Sequence, residues 1–90
     1  MKETYIESTF CEWVECHEGW HALKLLKRVG WPDRLIIGPG ATAYFIEFKR
    51  PGEEPELIQE FIHDILKKLG FEIYVCEAIE QAKEIFRRNF

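Results

Sequence analysis

No run of apolar residues in this 90-residue chain is long enough for a membrane span or for the core of a secretory signal. Cysteine is scarce: Cys11, Cys16 and Cys76 are odd in number and form no CxxC pair, which excludes a disulfide framework and a zinc ribbon. Basic charge is in deficit too, with 12 Lys and Arg against 16 Asp and Glu and a formal net charge of -4. That balance argues against a protein holding nucleic acid through a broad positive field, so contact with a polyanion has to be local. Internal repeats, linkers and low-complexity tracts are absent as well. The expectation is a soluble, cytoplasmic, reduced protein with a single domain over 1–90 and no membrane association.

What is present is enough for one compact core, with 47% hydrophobic and 14% aromatic residues. From Glu3 to about Glu18, Ile6, Phe10, Trp13 and Val14 recur at steps of three and four, predicting a helix with one buried stripe that Gly19 ends. A short strand is predicted over His21–Lys27, followed by the loop Val29-Gly30-Trp31-Pro32. Asp33–Ile37 and Ala43–Lys49 read as strands joined by the turn residues Gly38-Pro39-Gly40-Ala41-Thr42, and so as a hairpin. Pro55 suits the first turn of a helix in which Leu57, Ile58, Phe61, Ile62, Ile65, Leu66 and Leu69 share one wide face and Gly70 supplies the stop. That face is expected to cover a sheet. Phe71–Cys76 is a compact apolar strand, and Ile79, Ala82, Ile85 and Phe86 mark a closing helix. The order is α-β-β-β-α-β-α. Reaching the last strand through a full helix favours a parallel partner, hence an α/β fold with a mixed central sheet flanked by helices on both faces.

The chemistry concentrates in the hairpin. A turn centred on Gly40 pairs residues whose numbers sum to about eighty, which sets Asp33 opposite Glu47 on one face. Alternation puts Glu47 and Lys49 on that same face, while Tyr44, Ile46 and Phe48 take the other. Charge in so apolar a strand is costly unless compensated. Two carboxylates can hold a hard cation such as Mg2+ and leave coordination positions for water and a phosphate oxygen, with Lys49 orienting that water or stabilising charge that builds on the phosphate. The alternative from spacing alone is a solvated cross-strand ion pair beside an Asp that caps a strand entry.

Pro32-Asp33, a hairpin, then Glu47-Phe48-Lys49 resembles the PD-(D/E)xK pattern of the restriction-endonuclease-like nuclease superfamily. Gly30-Trp31-Pro32-Asp33-Arg34-Leu35, Phe45 through Gly52, and Gln59 in the following helix together resemble the VRR-NUC family, whose minimal form, often from bacteriophages, nearly the whole chain fits. The resemblance implies a restriction-endonuclease-like core and a Mg2+- or Mn2+-dependent endonuclease. Its substrate would be branched DNA such as a Holliday junction, cut by a homodimer. It implies Asp33 and Glu47 as metal ligands, Lys49 as the catalytic lysine, and Glu7 as a further acidic contributor for which Glu3 competes. Gln59 would be a polar residue at the site edge, and the backbone carbonyl of Phe48 would complete the metal shell. A nonspecific or flap nuclease shares this chemistry, and a non-catalytic nucleic-acid-binding or assembly module shares the fold.

Other signals weigh less. Cys11, Cys16, His17 and His21 have poor spacing for zinc. His63, beside a core position of the long helix, is expected to be exposed or interfacial. Lys27, Arg28 and Arg34, with Arg50 across the hairpin, are candidate nucleic-acid contacts among the basic residues near Asp33. Trp20 and Trp31 fit core, dimer interface or stacking surface equally.

Overall fold

The stripe of Ile6, Phe10 and Val14 does fold as a helix, α1 (Glu3–Glu15), with Cys11 buried beside it. The computed structural model describes residues 3–26 and 28–90. α1 stops short of Glu18 because the Cys16 N–H is shared between the carbonyls of Glu12 and Trp13 and His17 N–H bonds Val14 O, which tightens the last turn. Gly19, at φ +85°, then reverses the chain. Strand β1 (His21–Lys24) is shorter than predicted: Leu25 N–H still donates to Asp33 O at 3.2 Å, but a turn begins at Leu26. Lys27, the last predicted strand position, lies outside the described residues.

The hairpin has the predicted register. β2 (Arg34–Gly38) and β3 (Thr42–Phe48) pair antiparallel with Arg34 beside Ile46, Ile36 beside Tyr44 and Gly38 beside Thr42. After α2 (Leu57–Lys68) the chain returns as β4 (Glu72–Cys76), parallel to β3, and closes with α3 (Ile79–Asn89). The sheet is therefore mixed, in the order β1-β2-β3-β4. Among the described residues no helix is long and apolar enough to cross a membrane.

Alternation along β3 decides how the layers form. Tyr44, Ile46 and Phe48 point into the main core with Ile36, Ala22 and Cys76, where α1 contributes Ile6, Phe10 and Val14 and α3 contributes Ala82, Ile85 and Phe86. Trp20 belongs to this core: its ring lies so close over Gly38 that a Cβ there would come within 2.4 Å of it. On the opposite face Phe45 packs edge-on against Trp31 and Phe71, next to α2.

α2 covers less of this second face than its periodicity predicts. Its buried side chains are His63 and Leu66, whereas Leu57 is 84% exposed, Phe61 61%, and Ile58, Ile65 and Leu69 are also exposed. The apolar arc is wider than the strip that touches β4, and its outer half faces outward. A Schellman motif ends the helix, with Gly70 N–H on Lys67 O and Phe71 N–H on Leu66 O, and Gly70 at φ +98° permits it.

Candidate active site

Asp33 sits one residue before β2, where the β2–β3 ladder runs out of backbone partners. Its Oδ2 accepts the Phe48 N–H at 2.8 Å, so the carboxylate closes the ladder. Glu47 near the end of β3 and Lys49 just past it stand two residues apart, both buried at 1% and 8% exposure. A solvated surface ion pair is thus overturned, because neither group is in water. Glu47 Oε1 lies 3.1 Å from His63 Nε2, while Glu47 Oε2 is 3.5 Å from Lys49 Nζ and accepts no hydrogen bond from the described residues. Lys49 Nζ donates to Gln59 Oε1 at 2.8 Å, and the same oxygen accepts the Glu56 N–H at 2.8 Å at the start of α2. The helix cap and the lysine thus share one acceptor.

These side chains line a cavity of about 240 Å³ bounded by Glu3, Thr4, Glu7, Asp33, Glu47, Phe48, Lys49 and Gln59. The Phe48 ring is in the main core on the other side of the sheet, so the residue meets the cavity through its backbone. Burial pushes the Asp33 carboxyl up to about 6; the Phe48 N–H opposes the shift, and the nearby charges of Glu7 and Glu47 add to it. The cavity holds more carboxylate than cationic charge. A buried carboxylate oxygen without a hydrogen-bond donor, beside a second acid that resists ionising, fits a divalent cation, and Mg2+ needs only one or two carboxylates with water in its other positions. No three His, Cys, Asp or Glu side chains among the described residues form a ready-made metal cage.

No family model and no curated protein matches the chain. Among solved structures, one described as a VRR_NUC domain superposes with a TM-score of 0.80 at 24% identity, covering 98% of this chain and 97% of that one. The fold is that of a VRR_NUC domain.

Within this VRR_NUC-like fold the other candidates separate. Glu7 borders the cavity but is bound to Arg34, whose Nε donates to its Oε2 at 2.8 Å while Nη1 donates to Ala22 O at 3.0 Å. Arg34 shares the sheet face of Ile46, its cross-strand partner, and is turned away from Glu47 and Lys49. Its guanidinium is spent inside the fold, holding α1 to the edge strand, rather than presented to a phosphate. Arg28 is exposed and stacks on Trp31 at 4.4 Å, and Arg50 is exposed next to Lys49. Lys27 lies outside the described residues.

His63 is the residue the sequence reading misplaced. It is 6% exposed and bonded to Glu47 rather than facing outward or lying at an interface. The signal was its spacing: His63 follows Gln59 by one helical turn and precedes Leu66 by three residues, on the strip of α2 that meets the sheet.

Proposed function

We propose that this protein is a Mg2+- or Mn2+-dependent nuclease that hydrolyses DNA phosphodiesters. One observation carries the reading: Glu47 is buried with an oxygen that accepts no hydrogen bond, in a cavity shared with Asp33 and Lys49. Asp33 and Glu47 would hold the cation, with the Phe48 carbonyl and Glu7 next to them. The cation supplies Lewis-acid polarisation of the phosphate and a lower pKa for bound water. The chain's own groups do the rest. Lys49 Nζ, held by Gln59, presents positive charge where the phosphoryl oxygens gain negative charge as water attacks phosphorus and the P–O bond breaks. Gln59 fixes that ammonium at a low cost in side-chain freedom, because its own position is set by the α2 cap. The fold shared with a VRR_NUC domain and the PD-(D/E)xK resemblance support the assignment.

The proposed substrate is branched DNA, cut by a homodimer. The exposed outer half of α2, Leu57, Phe61, Ile65 and Leu69, together with the exposed Phe71 that follows the helix, supports a second copy as its cover. Two-fold pairing would set two such cavities on a pseudo-symmetric junction. The test compares an immobile four-way junction, a flap, single strands and a linear duplex of the same sequence, each with Mn2+ and with chelator. Metal-dependent incision of the junction, lost in Lys49→Ala with the fold intact by circular dichroism, is expected. Equal cutting of every substrate would replace branch selectivity with a nonspecific nuclease, and inertness on all of them would remove the nuclease reading.

A further inference from the structure

Glu47 is on β3 and Lys49 directly follows its last residue, two residues on in extended chain, a separation of about 6.6–6.8 Å. Gln59 and His63 are four apart on α2, about 6 Å along a helix axis. The two spacings nearly match, and the side chains meet in pairs: Gln59 with Lys49 at 2.8 Å and His63 with Glu47 at 3.1 Å. We infer that His63 is a positioning residue for the cation, fixing the Glu47 carboxylate so that Oε1 is held by the helix and Oε2 is left for a divalent metal. The inference rests on the metal-dependent reading above.

Glu has three rotatable side-chain bonds, and a ligand left to sample them pays that entropy on binding metal. Within its cavity Glu47 has few means of avoiding this cost. Lys49 Nζ lies 3.5 Å from Oε2 and is drawn to Gln59 at 2.8 Å, and among the described residues the one hydrogen bond to the carboxylate comes from His63. A carboxylate can only accept, so His63 donates from Nε2. The imidazole is itself buried on the strip of α2 that meets the sheet, between Gln59 one turn before and Leu66 one turn after, and so is a rigid donor. The arrangement also separates duties between the two oxygens. With His63 on Oε1, rotation that would turn both oxygens toward Lys49 loses a buried hydrogen bond, so Oε2 stays directed at the cavity.

The experiment titrates Mn2+ into DNA-free protein and reads free Mn2+ by electron paramagnetic resonance, for wild type, Asp33→Ala, His63→Leu and His63→Gln. Gln is chosen because its amide nitrogen reaches to about where Nε2 lies and can donate to Oε1. His63→Leu is expected to weaken Mn2+ binding by roughly tenfold or more, the usual effect of removing a residue that orients a metal ligand. His63→Gln is expected to recover most of it. A merely structural histidine would lower the unfolding midpoint of both variants in chelator and leave Mn2+ affinity unchanged, and that result overturns the inference alone. Absence of Mn2+ binding by wild type overturns the metal reading and the inference with it. If His63→Leu does not fold, the ring nitrogens of wild-type His63 decide by nuclear magnetic resonance: the Nε2–H tautomer supports the inference, and the Nδ1–H tautomer, with no donor toward Glu47, overturns it.

Discussion

Asp33 is held by a backbone hydrogen bond that favours its charged form and sits in a burial that opposes it, and burial dominates, raising its pKa from the ordinary 3.8 to about 6. The sign of the consequence follows from proton binding: between these values the folded chain holds a proton that the unfolded chain has released. Asp33 therefore contributes stability that is fully present below about 3.8 and is lost as pH rises through about 6. In chelator, the unfolding midpoint of wild type is expected to fall between pH 5 and 7.5 more than that of Asp33→Asn, whose amide oxygen still accepts the Phe48 N–H. Equal slopes in a thermal melt series would refute this, and on the proposed function the same variant should lose cleavage, because it removes one anionic ligand of the cation. Cysteine gives a second test. Burial raises the thiols of Cys11 and Cys76 to about 11 and about 12, so at pH 8 their thiolate fractions are roughly a thousandth or less, while Cys16 is exposed. One thiol per chain should react with a disulfide reagent in the native state, and Cys16→Ser should abolish that fast phase. Asp33, Glu47 and Lys49 were readable as a group because strand alternation and one hairpin register suffice to bring them together. His63 was not, because helical periodicity cannot tell a buried polar partner from an exposed neighbour of the core.

α2 shows where that limit lies for a whole element. Its apolar residues share an arc, as their spacing requires, yet spacing names a face and not its cover, and in the chain alone only the strip through His63 and Leu66 meets the sheet. β1 and α1 were likewise overextended by three residues each, because their ends are set by backbone bonds at Leu25 and Cys16 that hydrophobic pattern does not encode. The hairpin register, by contrast, was legible: Pro and Gly fix its turn, and a slip of one residue would exchange Tyr44, Ile46 and Phe48 with Phe45 and Glu47, carrying the Glu47 carboxylate into the apolar core. If a second copy covers the outer face of α2, placing charge there must separate the copies without touching the core. Phe61→Glu with Ile65→Glu is expected to convert a dimer to a monomer in sedimentation equilibrium while keeping the α/β circular dichroism spectrum. A wild type that is already monomeric at tens of micromolar would refute the pairing, and with it the two-site geometry proposed for junctions.

The molecule as a whole carries a net charge of -4, so the nuclease proposed above would have to approach a polyanion with an acidic cavity foremost. Arg34 cannot help, since Glu7 and the Ala22 carbonyl already hold its guanidinium, which leaves exposed Arg28 and Arg50 as the nearest described cations from the predicted contact set. On the proposed function few phosphates could then be neutralised by side chains, and a cation at Asp33 and Glu47 would have to supply much of the attraction at the site. Two consequences can be measured by fluorescence anisotropy with a labelled four-way junction. Ca2+, which occupies oxygen sites while supporting little hydrolysis, should strengthen binding at least tenfold over chelator, and Asp33→Ala should remove that gain. The dependence on monovalent salt should also be shallow. About two phosphate contacts per protomer give a slope of log K against log salt near -2, or near -4 for a pair of protomers, by the relation of about -0.9 per phosphate neutralised. A slope near -10 would require a broad basic surface that this charge balance does not provide, and metal-independent binding with such a slope would mean that DNA is held elsewhere than at Asp33, Glu47 and Lys49.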